Sequence, residues 1–219
     1  MLRCGSVPPL TLPANHQRPP VALFFVLLGI CAVTAIDPPA GRFSWALEVV
    51  PGLVEVGIFA AIFKRFRFSN VVYIAIFCHV LVLVYGGVYT YAKVPLGNWA
   101  MTAFDLSRNH YDRIGHLVLG ICPAFAIREI YLRVIGVKRG AWLYFTVSSV
   151  ALAIGAFWEL LEWWVALLVS SDVGDDFLGS QGDIWDAQWD MLLVLLGAMF
   201  AQALMNPLHD RSMAAVCDD

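Results

Sequence analysis

The chain has 219 residues, of which 60% are hydrophobic and 14% charged, and its formal net charge is −3. Soluble domains run at about 45–50% apolar and about 25% charged, so a mean hydropathy of +0.72 excludes a soluble globule and a disordered chain. The absence of any long basic stretch excludes a nucleic-acid partner. The sequence reads as an all-α, polytopic membrane protein whose surroundings are the lipid bilayer.

Residues 1–19 hold Pro8, Pro9, Pro13 and Pro19 without periodicity and read as a flexible tail. The first apolar run, 21–36, is short for a span and is closed by Asp37-Pro38-Pro39. Its flanks resemble those of a signal peptide, but Ile36-Asp37-Pro38-Pro39 is a poor cleavage context, so an uncleaved span is the favoured reading. The second run, 45–63, stops at Lys64, Arg65 and Arg67, and the third covers 71–92. A polar stretch over 93–112 carries Trp99, Met101, Phe104 and Leu106, which suits a segment lying in the interface. The fourth run, 114–135, contains Pro123 and is expected to kink. The fifth, 142–169, leads through an acidic loop to the sixth, 185–205, which Asn206-Pro207 stops. Each run approaches the roughly 20 residues that cross a bilayer. The expectation is one six-helix transmembrane domain over 20–206, with a cytoplasmic tail at 207–219.

Basic residues set the orientation. With the tails and the turns near 64–69 and 128–140 on one side, that side receives Arg3, Arg18, Lys64, Arg65, Arg67, Arg128, Arg133, Lys138, Arg139 and Arg211. Only Arg42, Lys93, Arg108 and Arg113 fall on the other. This bias places both termini in the cytoplasm. Trp45, Trp99, Trp163, Trp164, Trp185 and Trp189 then form a belt at the outer interface. Of the 17 acids, only Glu129, Asp210, Asp218 and Asp219 lie on the cytoplasmic side.

The outer half therefore collects carboxylates at membrane depth. Glu48 and Glu55 share a face of the second helix, two turns apart. Asp112 and His116 stand four residues apart at the outer entrance of the fourth, and Glu159 and Glu162 three apart on the fifth. Asp183, Asp186 and Asp190 open the sixth, with Gln181 just before them. Each acid at the bilayer centre costs on the order of 3 kcal/mol on insertion scales, so such residues face the bundle interior and pair, bind an ion or carry protons. Arg113, His116, Arg108 and His110 are too few to neutralise them all. A divalent metal suits His plus carboxylates on facing helices, with Asp112, His116, Glu159 and Glu162 as ligand candidates and Asp186 or Asp190 as the base. Metal-bound water would then hydrolyse a lipid or envelope component. Two other readings use the same residues. One is a proton- or cation-coupled transporter, and the other a non-catalytic assembly partner in which caps, an Arg113 ion pair and protonated acids hold helices together. His79 reads as a hydrogen-bonded core histidine, and Arg128, Glu129 and Arg133 as a cytoplasmic anchor.

These motifs carry a resemblance. Asp112-Arg113-x-Gly115-His116, Arg128-Glu129, Glu159-x-x-Glu162-Trp163 and Gln181-Gly182-Asp183-x-Trp185-Asp186-x-Gln188-x-Asp190-Met191 resemble the YjdF-like inner-membrane protein family, a bacterial domain of unknown function. The resemblance covers roughly 20–206. It implies a six-helix protein of the bacterial inner membrane and implies no activity.

Overall fold

The computed structural model describes residues 14–217; of the expected 1–19 tail, residues 1–13 lie outside them, and residues 14–19 are helical and open the first helix. All regular structure among the described residues is helical. Helix α1 spans Ala14–Thr34, α2 Arg42–Ile62 and α3 Asn70–Tyr89. A single 3-10 turn, Tyr91–Lys93, leads to the short α4, Pro95–Ala103. Helix α5 covers Tyr111–Ile130 and runs into a π-helical turn, Tyr131–Ile135. Helix α6 spans Ala141–Leu168, α7 Ser171–Leu178, α8 Asp186–Leu204 and α9 Asn206–Cys217. The acidic loop thus contains α7, and residues 206–217 form α9.

Helices α2, α3, α6 and α8 are long and apolar enough to cross a membrane, and Pro19–Thr34 within α1 is a shorter apolar segment. Helix α5 matches them in length, but Asp112, Arg113, Arg128 and Glu129 at its ends dilute its hydropathy. It is the central helix instead. It packs most extensively on α8 and also on α3 and α6. Large apolar side chains remain on the outside, with Leu168 86% exposed and Phe157 53%. In water such a surface would drive aggregation, whereas lipid tails accept it.

Glycines set the α5–α8 distance. A Cβ on Gly120 would collide with the Val194 carbonyl, and one on Gly197 with the carbonyl of Leu117. Small residues at a crossing let two backbones approach closely, which is how helices associate where lipid is as apolar as leucine. On α8 the buried face repeats as Asp186, Asp190, Val194, Gly197, Ala198 and Ala201. The same stripe that sits on α5 therefore carries acids at its N-terminal end.

Candidate functional site

His116 is the centre of the cluster that the sequence reading assigns to the outer half, and is 3% exposed. Its Nδ1 lies 3.5 Å from Asp112 Oδ1, one turn earlier on α5, and 3.4 Å from Asp190 Oδ1 on α8. Its Nε2 lies 2.9 Å from Glu159 Oε1 on α6. None of these contacts has hydrogen-bond geometry. His116 Nδ1 and Nε2, Asp112 Oδ2, Glu159 Oε1 and Asp190 Oδ1 are all buried without a hydrogen-bond partner. One ligand atom each from Asp112, His116 and Asp190 fit within 4.8 Å of one another. Buried polar atoms are nearly always hydrogen-bonded, so five orphaned atoms converging from three helices are unusual.

The other candidates divide into neighbours and outliers. Glu162 receives a hydrogen bond from Trp158 Nε1 at 2.6 Å. Glu48 is buried on α2, and both it and Glu162 lie within electrostatic range of Asp112 and His116. Glu55 is elsewhere: its Oε2 pairs with His79 Nδ1 at 2.8 Å, one link of α2 to α3. His79 is thus hydrogen-bonded, as a core histidine should be.

Asp186, Asp183 and Gln181 form a lid above the cluster. Asp186 is bound by buried Arg108, whose Nη2 also donates to the Gly179 carbonyl at 3.0 Å. Arg113 donates to Asp183 at 2.6 Å and lies over the Trp189 ring. Gln181 clasps the Asn109 backbone, accepting from its N–H at 3.0 Å and donating to its carbonyl at 2.8 Å. Asn109, which the sequence does not single out, donates to Val94 and Asn98 and accepts from the Tyr111 N–H. Beside it, burial and then the positive Arg113 and Arg108 hold the His110 imidazole below its ordinary pKa. Outside the lid, Lys93 pairs with Asp176 at 2.6 Å.

The outer cations are thereby spoken for. Arg108, Arg113 and Lys93 each face an acid of the lid or loop and Arg42 donates to the Ile36 carbonyl, so among the described residues Glu48, Asp112, Glu159, Glu162 and Asp190 share the neighbourhood of the His116 imidazole. Like charges this close cannot all persist without protons or a cation between them.

Below the cluster, a cleft of about 490 Å³ runs along α5, walled by α2, α3 and α6. Asp112, His116 and Glu162 line its outer end, while Phe59, Ile127 and Ile130 line its inner end.

At the opposite end of α5 sits a second polar centre. Glu129 is fully buried; it accepts from the Ser69 N–H at 3.0 Å and from Arg133, and lies 3.2 Å from His209 Nε2. Arg128 Nη1 faces His209 Nδ1 at 3.1 Å. A guanidinium can only donate, so His209 accepts at Nδ1 and donates from Nε2 to Glu129. Arg128 and Arg139 also hold Asp210. Burial alone would raise the Asp210 pKa, but the two guanidiniums outweigh it and keep the carboxyl below its ordinary value. This centre locks α9 to α5, where the sequence suggested no more than an anchor.

The chain matches the family described as "Predicted membrane protein (DUF2238)" over residues 19–211. The chain belongs to this family. It is 42% identical over 172 residues to "Inner membrane protein YjdF" of Escherichia coli (strain K12), a match covering 78% of this chain and 82% of the relative. No solved structure matches it. The family assignment borne by the acid and glutamine motifs holds, and with it an inner-membrane location.

Proposed function

We propose that the protein crosses the inner membrane six times, through α1, α2, α3, α5, α6 and α8, with both termini in the cytoplasm and the His116 cluster in the periplasmic half. The distribution of Lys and Arg supports this orientation. At the cluster, Asp112, His116 and Asp190 hold a divalent cation. Glu159 Oε1, 2.9 Å from Nε2, would come into line to accept a hydrogen bond from it when a cation binds, leaving Nδ1 as the ligand atom. Asp190 is thereby a ligand instead of a base, and Asp186, tied to Arg108, orients the lid.

The function this supports is hydrolysis of a lipid or envelope ester. A cation held by these residues would supply an activated water as the nucleophile. Glu162, which lines the cleft, accepts its proton as the water oxygen bonds to the ester carbon. The carbon–oxygen bond to the leaving alcohol then breaks, and the proton passes to the departing oxygen. The observation that carries the reading is the orphaned ligand set at the mouth of an apolar cleft. The test is release of fatty acid from phospholipid vesicles holding the purified protein. Release that stops with a chelator and with Glu162→Gln supports the reading, and no release by the wild type overturns it.

A second reading, proton- or cation-coupled transport, draws on the Glu55–His79 pair, which stands in the same cleft deeper in the membrane. It requires vesicle proton uptake that Glu55→Gln abolishes.

A further inference from the structure

The cleft below His116 has a lateral mouth. Helix α2 packs on α3, and α6 on α8 and α5, leaving a slot between α2 and α6. Val54 and Ile58 border it on one side and Ile154 and Phe157 on the other, and all four expose their side chains to the surroundings. At this depth the surroundings are hydrocarbon, and water is absent. A volume of about 490 Å³ lies in the ~300–1,000 Å³ range of sites that enclose one small ligand. From His116 to Ile130 the cleft follows 14 residues of α5, about 21 Å at a rise of ~1.5 Å each. That length exceeds one leaflet of a ~30 Å core.

Shape and lining therefore agree: a long, narrow, apolar channel, open sideways to the bilayer, with polar groups at its outer end. Its one inner polar feature, the Glu55–His79 pair, is satisfied within itself. We infer that the cleft binds one acyl chain of an outer-leaflet phospholipid, entering sideways between α2 and α6 with its ester linkage toward His116. The fate of the ester rests on the hydrolytic reading above; the seat of the chain rests on the cleft alone.

The experiment uses the full chain in phosphatidylethanolamine vesicles doped with a phosphatidylglycerol bearing a diazirine in one acyl chain. After photolysis, adducts are mapped by peptide mass spectrometry. Chain binding predicts adducts concentrated on Ala126, Ile127 and Leu161, in excess over Phe145 and Leu204, which are exposed outside the cleft. Val54→Trp and Ile154→Trp fill the mouth from opposite helices. Each should abolish the cleft adducts and spare those outside. Even labelling of all membrane-facing residues in the wild type, or cleft adducts that survive both tryptophans, overturns the inference. His116→Ala separates the two readings, since it removes the cation and leaves the chain adducts in place.

Discussion

His116 and Glu129 sit on one helix and are both buried, yet they live in opposite electrostatic situations. Glu129 has a donor for each oxygen: the Ser69 amide, Arg133 and His209. His116 is surrounded by acceptors and has no angularly correct bond. The first is a structural lock, and the second is the set proposed to hold a cation. Removing a partner from a buried, hydrogen-bonded charge centre costs roughly 3–5 kcal/mol. Glu129→Ala should therefore lower stability by about that much, measured by thermal unfolding in detergent, because Arg133 and His209 lose their anion. At the outer site the sign reverses. A carboxylate facing other carboxylates is an electrostatic burden without its cation, so Asp190→Asn should leave the cation-free protein at least as stable as the wild type. Equal destabilisation by both substitutions in the same assay would contradict the distinction.

At the scale of elements, two devices hold α5 in place. The first is the glycine crossing with α8, which sets how near Asp190 comes to His116. Gly197→Ala would drive a Cβ into the Leu117 carbonyl. Overpacking of this kind costs about 1–3 kcal/mol, and here it should also weaken cation binding by pushing α8 outward. Unchanged cation affinity in that variant would show that the crossing and the site are independent. The second device is α9, clamped by Arg128 and Arg139 on Asp210. The Asp210 carboxyl is held below its ordinary pKa, so its contribution is complete above the unfolded value of about 3.9 and is lost as the pH falls through the folded value. Protection of the amides over residues 206–217, relative to their intrinsic exchange rates, should hold from neutral pH down to about pH 5 and fall below about pH 4. Loosening of α9 near neutral pH would contradict this.

Over the whole molecule, the length of the apolar runs is enough to make most of the spanning helices legible in the sequence. Runs at 45–63, 71–92, 142–169 and 185–205 correspond to α2, α3, α6 and α8 within a few residues, because hydrocarbon satisfies no backbone group and leaves the helix as the way to cross. Spacing along one helix also brings Asp112 to His116. Spacing cannot say which residue of another helix completes the set. Asp183, Asp186 and Asp190 look alike in sequence, and only packing gives the first two to Arg113 and Arg108 and the third to His116. The Glu129 centre is illegible for a related reason. Arg128, Glu129 and Arg133 have the composition of any cytoplasmic anchor, and His209 lies 80 residues away from Glu129 in the chain.

We propose that Glu48, Asp112, Glu159, Glu162 and Asp190 gather around a cation held by Asp112, His116 and Asp190. Elemental analysis of the detergent-purified protein tests it most directly, with wild type beside His116→Ala and Asp190→Asn. The wild type should carry a stoichiometric divalent metal, and both variants should lose it. A wild type that neither retains nor takes up a stoichiometric metal, or variants that hold it as tightly, would contradict it.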